Sequence, residues 1–136
     1  MHQHGAVELE RLKERYPEKF PSAADVFGRI RPGARIFVSA ACGEPQYLVH
    51  ALTDYVRANP KAFFDAEIIQ VWTLGVASYT DERLKSNFRY NSFFVGDNTR
   101  ASVNAGLADY TPIFLSQVPA LFNRRVIGID VALVQT

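Results

Sequence analysis

The sequence predicts an α/β fold: a three-layer α/β/α sandwich around a mostly parallel sheet, preceded by a short helical lead-in. Three observations predict it. The strand-like segments are apolar on both faces, which is typical of parallel strands buried between two layers. Helix-like blocks alternate with them, as in βαβ units. The 136 residues are 48% hydrophobic and 21% charged, which suits one globular core. We expect the lead-in over residues 1–33 and the α/β domain over residues 34–136.

The lead-in is predicted to hold two helices. Apolar residues recur at helical spacing between residues 9 and 16, which predicts an amphipathic helix that stops before Pro17. Ser22 with Asp25 three positions later is typical of a capping box. A second, short helix should therefore begin there and end near Gly28.

The first strand and its helix open the α/β domain. Residues 35–39 form a β-branched and aromatic run bounded by small residues, which predicts a strand. Apolar residues at positions 48, 52 and 56 share one face of a helix. That helix should begin near Pro45, where a missing N–H costs nothing, and end before Pro60.

The remaining elements alternate in the same way. Further strands are predicted over 67–73, within 88–95, over 111–115 and over 127–134, the last of them central in the sheet. The helices among them should cover 81–86, 97–106 and 117–122. Asp97 or Asn98 is the expected cap of the second of these helices, because short polar side chains accept hydrogen bonds from its first N–H groups.

Charge, hydropathy and motifs exclude several classes of protein. Fifteen basic residues against fourteen acidic ones give a net charge near zero, so we expect neither nucleic acid nor a membrane surface as partner. Apolar runs are too short to span a membrane. The phosphate-binding G-x-x-x-x-G-K-[ST] and G-x-G-x-x-G motifs are missing, as is the G-x-S-x-G elbow of serine hydrolases.

Cysteine and histidine residues give no catalytic or metal site. Cys42 is the single cysteine, so it forms no internal disulfide, and a cytoplasmic location is expected. We expect Cys42 to be a small buried side chain rather than an activated thiolate. His2 and His4 lie near the chain terminus, and His50 is expected to pack beside or at the rim of a helix stripe. No metal site is predicted.

Three loops follow predicted strands and should lie at one edge of the sheet. They cover residues 41–46, 74–78 and 94–98, and each contains glycine, so backbone N–H groups there can approach a ligand closely. Taken singly, each loop is better explained as an ordinary turn. Because ligands bind outside the carboxyl ends of parallel strands, we expect a ligand at this edge.

Arg100 lies in the first turn of the predicted helix after the third loop. Its guanidinium suits a carboxylate or phosphate of a ligand. Contact with a neighbouring acid, Asp109 or Asp130, is an equal alternative.

Several stretches resemble the N-terminal domain of the acetyl-CoA hydrolase/transferase family. They are Cys42-Gly43-Glu44-Pro45-Gln46, residues 88–96 (FRYNSFFVG), Arg100 with residues 106–116 (GLADYTPIFLS), and the closing residues 130–133. The resemblance extends over residues 16–136, and the stretch 88–122 is the most distinctive. It supports the sandwich fold, here in its CoA-transferase-like form.

The resemblance implies an enzyme of two similar α/β domains with acyl-CoA bound between them. No permanent cofactor is implied, and coenzyme A or acyl-CoA is a substrate together with a small carboxylate. The family's nucleophilic glutamate lies in the second domain, so no catalytic residue is assigned here and Glu44 is not the nucleophile. The implied wall of the cleft consists of Gly43, Glu44, Pro45, Gly75, Val76, Phe94, Val95, Gly96 and Arg100.

The chain stops at the carboxyl end of a predicted central strand, so we expect it to be the front portion of a longer protein. Alone it should be inactive, with its C-terminal domain as the missing partner, and a homodimer stays open. The alternative is a free-standing, non-catalytic module of the same fold that binds CoA or serves assembly.

Overall fold

The computed structural model describes residues 2–135, with side chains from residue 8 onward. A five-stranded sheet with strand order β4-β3-β2-β1-β5 forms its centre, and all four pairings are parallel. The strands are β1 (Arg35–Val38), β2 (Ala66–Gln70), β3 (Phe88–Ser92), β4 (Ala108–Tyr110) and β5 (Val131–Leu133). The predicted α/β sandwich with a parallel sheet is confirmed.

Helices and short turns connect the strands. The α-helices are α1 (His2–Arg15), α2 (Ala23–Phe27), α3 (Gln46–Ala58), α4 (Asp97–Asn104) and α5 (Val118–Asn123). Short 3-10 helices lie at Pro17–Lys19, Ala41–Gly43, Ser78–Thr80, Glu82–Leu84 and Leu115–Gln117. None of the described helices is both long and apolar enough to cross a membrane.

The two faces of the sheet carry separate hydrophobic clusters. On one face, Ile36 and Val38 of β1 pack in the larger cluster with residues of α2 and α3, all almost completely buried. On the other face, Ile69 and Phe93 pack with Val118 of α5. Because successive residues of a strand point to opposite faces, β2 contributes Ile68 to the first cluster and Ile69 to the second.

The lead-in forms as its sequence predicts. Helix α1 ends at Arg15, before Pro17. The hydroxyl of Ser22 accepts from the Asp25 N–H and the Asp25 carboxylate accepts from the Ser22 N–H, so the capping box is confirmed. Phe27 and Ile30 are buried in the same cluster as the sheet. The boundary between residues 33 and 34 stays a prediction.

Several predicted element ends were wrong. Strand β2 ends at Gln70 rather than at residue 73, and the fourth strand lies at Ala108–Tyr110 rather than over residues 111–115. Pro112 explains the second difference, since a residue without an N–H cannot extend the ladder. Residues 81–86 form only a 3-10 turn at Glu82–Leu84. Gly96, without a side-chain cap, precedes α4, so neither Asp97 nor Asn98 is the cap.

The last strand is shorter and lies elsewhere than predicted. Strand β5 covers only Val131–Leu133 of the predicted 127–134. It pairs with β1 alone and forms an edge of the sheet within residues 2–135, so its predicted central position was wrong. The Asp130 carboxylate instead accepts a hydrogen bond from the Arg35 N–H at 2.8 Å, which turns the chain into the strand.

Candidate functional site

Three loops lie together at the carboxyl edge of the sheet. They follow the neighbouring strands β1, β2 and β3 and carry Gly43, Gly75 and Gly96 respectively. The Ala41 N–H donates to the Trp72 carbonyl at 3.1 Å, and the Phe94 N–H donates to the Val71 carbonyl at 2.8 Å. The parallel order of the strands therefore places all three loops side by side.

Glu44 binds the first loop to the second through its side chain. Its carboxylate accepts from the Thr73 hydroxyl at 2.8 and 2.9 Å, and from the N–H groups of Leu74 and Gly75 at 3.2 Å each. Glu44 is only 4% exposed and Thr73 only 1%. A buried carboxylate thus finds three donors, as burial of a charge requires. We call Glu44, Thr73, Leu74 and Gly75 the carboxylate clasp.

Two further side chains bind the same middle loop. The Gln46 side-chain carbonyl accepts from the Val76 N–H at 3.3 Å. The Asn98 side-chain amide donates to the Gly75 carbonyl at 2.7 Å. The loop after β2 is therefore held from the first loop on one side and from the third loop on the other.

Two buried tyrosines lie near the clasp. The Tyr79 hydroxyl donates to the Gln70 side-chain carbonyl, and the Gln70 side-chain amide donates to the Ser39 carbonyl. Burial, with Glu44 as a further cause, raises the pKa of Tyr79 well above its ordinary range and the pKa of Tyr90 to about 12. The Tyr90 hydroxyl has no hydrogen-bond partner among the described residues. Both phenols therefore stay neutral at physiological pH.

A cavity of about 490 Å³ opens beside the third loop. Its apolar lining comes from Val71, Trp72, Phe94, Val95 and Leu115. Gly96, Asp97 and Arg100 complete it. The volume lies within the range of about 300–1,000 Å³ that is usual for small-molecule sites. Because only two of these lining residues ionise, the cavity is suited to binding an apolar group beside a charged one.

Arg100 lies at this cavity but contacts neither of its two predicted acids. Its guanidinium donates to the Asp97 carboxylate at 3.2 Å within the same helix, and its side chain is 61% exposed. Asp130 binds the start of β1, at the opposite edge of the sheet. The predicted contact with Asp109 or Asp130 was therefore wrong, and a ligand contact stays a prediction.

The predicted wall residues fall into three groups. Phe94, Val95, Gly96 and Arg100 line the cavity, whereas Glu44 and Pro45 are buried beneath the surface. Val76 is exposed beside Gly75, and Gly43 faces open space. Cys42 next to it is exposed, so its predicted burial was wrong. Cys42 lies in the 3-10 turn Ala41–Gly43, which contains no buried residue.

Sequence reasoning missed the side chains that bind the loops together. These are Gln46, Thr73 and Asn98, with Trp72 and Leu115 in the cavity lining. Gln46 and Asn98 do occupy loops that were predicted to face a ligand, so their positions were a usable signal. Thr73 was assigned to a strand, which hid its role.

Comparison with known proteins gives the family. The sequence matches the acetyl-CoA hydrolase/transferase N-terminal domain over residues 5–136. It is 39% identical over 123 residues to 4-hydroxybutyrate coenzyme A transferase of Clostridium kluyveri, covering 90% of this chain and 28% of that protein. It is 34% identical over 120 residues to a succinyl-CoA:acetate/propanoyl-CoA:succinate CoA transferase of Fasciola hepatica, covering 88% and 24%.

The fold has a solved counterpart. The crystal structure of RipA from Yersinia pestis superposes with a TM-score of 0.76 at 24% identity, covering 90% of this chain and 30% of that one. The chain thus spans about a quarter of the length of the curated relatives that it matches. The match extends across the sheet and all three loops, so the chain belongs to the acetyl-CoA hydrolase/transferase family and corresponds to its N-terminal domain.

Proposed function

We propose that this chain forms one wall of the active-site cleft of a CoA-transferase or acyl-CoA hydrolase. The complete enzyme would move CoA between an acyl-CoA and a small carboxylate. The observation that carries this proposal is the edge formed by the three hydrogen-bonded loops, with the cavity beside it, in a chain of this family. The single free Cys42 suits the reducing cytoplasm.

The proposed chemistry places the reactive glutamate in another part of the protein. Its carboxylate attacks the acyl carbon, the C–S bond breaks, and CoA thiolate leaves. The thiolate then attacks the resulting anhydride at the glutamyl carbon, which releases the first acid and leaves a glutamyl-CoA thioester. A second carboxylate, or water, completes the exchange. Such covalent relay divides one hard step into easier ones.

This chain would contribute binding and orientation. The apolar lining around Trp72 and Phe94 would exclude water from an acyl-CoA, and Arg100 would attract a carboxylate through its exposed guanidinium. The burial of the Glu44 carboxylate and its three donors in the neighbouring loop support a structural role for Glu44 and a nucleophile elsewhere.

The first test compares the 136-residue chain with the protein expressed from the complete reading frame that carries it. We expect exchange of labelled acetate into acetyl-CoA by the complete protein and none by the chain alone. Substantial turnover by the pure chain would contradict the proposal.

A second test obstructs the cleft at Gly43. A Cβ built on Gly43 meets nothing within 4 Å, so a large side chain fits there without disturbing the fold. In the complete protein, Gly43→Trp should lower kcat/KM for acyl-CoA by about tenfold or more while leaving the Tm unchanged. Gly96 is unsuitable, because its Cβ would lie 2.9 Å from the Trp72 indole nitrogen and 3.2 Å from the Thr73 carbonyl.

The control for Gly43→Trp is Gly33→Asn, at the opposite edge of the sheet. Gly33 also faces open space, and its φ of 72° is one that asparagine tolerates. We expect Gly33→Asn to keep full kcat/KM. If Gly43→Trp kept full kcat/KM, the loop after β1 would not line the cleft.

The alternative function is a free-standing, non-catalytic module that binds CoA or serves assembly. The exposed apolar side chains at the cavity, Trp72, Phe94 and Leu115, suit a covering partner of either kind. Equilibrium binding of CoA to the complete protein, without exchange of labelled acetate, would favour this alternative.

A further inference from the structure

The carboxylate clasp uses donors that sequence reasoning had reserved for a ligand. The N–H groups of Leu74 and Gly75 both donate to the Glu44 carboxylate, and the Thr73 hydroxyl donates to it as well. Consecutive N–H groups of this kind form an anion-binding turn. The Glu44 carboxylate therefore occupies this anion site. In the proposed cleft, the loop would face the substrate with Gly75 and Val76 instead.

We propose that Glu44 is a positioning residue of the cleft, which sets the place of Gly75 and Val76 relative to the loop after β1. This inference rests on the proposed function. Glu44 is buried and immediately precedes Pro45, the residue before α3, and its N–H donates to the Ala41 carbonyl at 3.2 Å. Its backbone is therefore held between the turn Ala41–Gly43 and the helix. Through its carboxylate, Glu44 holds in place a loop that has no regular secondary structure between Gln70 and Ser78.

The neighbouring contacts support a positioning role rather than a general packing role. Gln46 binds the Val76 N–H and Asn98 binds the Gly75 carbonyl, so two further side-chain contacts end on the two residues proposed as wall. A Cβ on Gly75 would lie 1.8 Å from the Gln46 amide, which shows how closely the first loop packs against the second.

The test uses the complete protein with acyl-CoA as the varied substrate. Glu44→Leu has a similar size but accepts no hydrogen bond. The Leu74 N–H and the Thr73 hydroxyl then lose their acceptor, and the Gly75 N–H keeps only the Thr73 hydroxyl oxygen at 3.1 Å. We expect the KM for acyl-CoA to rise by about tenfold or more with kcat changed less, since a displaced wall weakens orientation. Glu44→Gln keeps one oxygen for the same donors and should raise KM less than Glu44→Leu.

Thr73 provides a second route to the same question if Glu44→Leu does not fold. Thr73→Val removes one donor with little change in shape, and Thr73→Ser retains it. We expect Thr73→Val to raise KM more than Thr73→Ser does. The effects of Glu44→Gln and Thr73→Val should be less than additive, because both residues act through one contact.

Glu67→Gln is the matched control. Glu67 is also a mostly buried carboxylate of β2 and binds the Arg35 guanidinium at 2.9 Å, but it lies at the far end of the strand. We expect no change in KM. An unchanged KM in both Glu44→Leu and Thr73→Val, or a KM change in Glu67→Gln equal to theirs, would overturn the inference.

A spectroscopic readout separates this inference from the proposed function. Trp72 is the single tryptophan of the chain and directly precedes Thr73. Loss of the clasp should shift the fluorescence emission of the 136-residue chain in Glu44→Leu but not in Glu67→Gln. If the complete protein does not transfer CoA, the proposed function fails, but the fluorescence shift still reports whether Glu44 positions the loop. Without a shift, Glu44 does not position the loop, and the inference fails.

Discussion

Tyr79 and Tyr90 show how two similar buried side chains contribute differently. Their rings lie 5.1 Å apart on the same face of the sheet, and each is at most 2% exposed. The Tyr79 hydroxyl donates to Gln70, whereas the Tyr90 hydroxyl is unpartnered among the described residues. An unpaired buried hydroxyl costs stability, and a paired one contributes only modestly.

The two tyrosines predict opposite effects of removing a hydroxyl. Tyr79→Phe leaves the Gln70 oxygen without its donor and should lower the free energy of unfolding by about 1–2 kcal/mol. Tyr90→Phe removes the unpaired group and should leave the free energy of unfolding unchanged or raise it by up to about 1 kcal/mol. Urea unfolding measures both. A greater loss in Tyr90→Phe than in Tyr79→Phe would contradict the assigned hydrogen bonds.

Alkaline pH gives the same pair a second readout. Tyrosine in the unfolded chain has its ordinary pKa of 10.0, while burial raises that of folded Tyr90 to about 12. Above pH 10 the folded chain therefore holds more protons, so stability is fully present below pH 10 and falls as pH rises toward 12. Tyr90→Phe should make this fall less steep.

The roles of individual residues were harder to predict from the sequence than the elements that carry them. Nothing in the sequence shows that the Glu44 carboxylate binds the next loop. That contact joins residues 29 to 31 positions apart and depends on strand order. Cys42 was expected inside because free cysteine is usually buried, but the turn that holds it faces solvent.

At the scale of elements, prediction succeeded where a strong pattern was present. Strands β1 and β2 have apolar residues on both faces, β3 buries Phe88 and Tyr90 on one face, and α3 has a long apolar stripe. Strands β4 and β5 lie at the edges and have three residues each, so few apolar positions mark them. Their limits are set instead by Pro112 and by the Asp130 carboxylate.

Helix α2 provides a test of a local signal. It has only five residues, and its capping box satisfies the first N–H groups. Ser22→Ala should lower the free energy of unfolding by about 1 kcal/mol, since the Asp25 N–H loses its acceptor. Ser102→Ala, within α4, is the control and should cost nothing, because alanine favours a helix interior. Chemical denaturation measures both, and equal effects would contradict the role of the cap.

At the scale of the molecule, the carboxyl edge of the sheet carries several exposed apolar side chains. The carboxyl edge exposes Trp72, Leu74, Val76, Phe94, Phe114 and Leu115, each by at least 39%. Contiguous exposed apolar patches are typical of interaction surfaces. In the proposed enzyme, the second domain would cover this edge.

This patch predicts the behaviour of the 136-residue chain in solution. We expect it to bind a hydrophobic dye or to self-associate in analytical ultracentrifugation. Phe114→Ser, at a side chain that is 74% exposed, should reduce both. Phe64→Ser is the control, since Phe64 is 61% exposed but precedes β2 at the opposite edge. A strictly monomeric chain that binds no dye would count against a covering partner.

The way the middle loop is held also limits how this edge can be re-engineered. Glu44, Gln46 and Asn98 reach into it from two different segments, and the loop itself supplies the matching donors and carbonyl. Replacing this loop alone with the loop of a relative would leave those three side chains without their hydrogen-bond partners. Acyl-group preference should therefore transfer between family members only when the segments after β1, β2 and β3 are transplanted as a set.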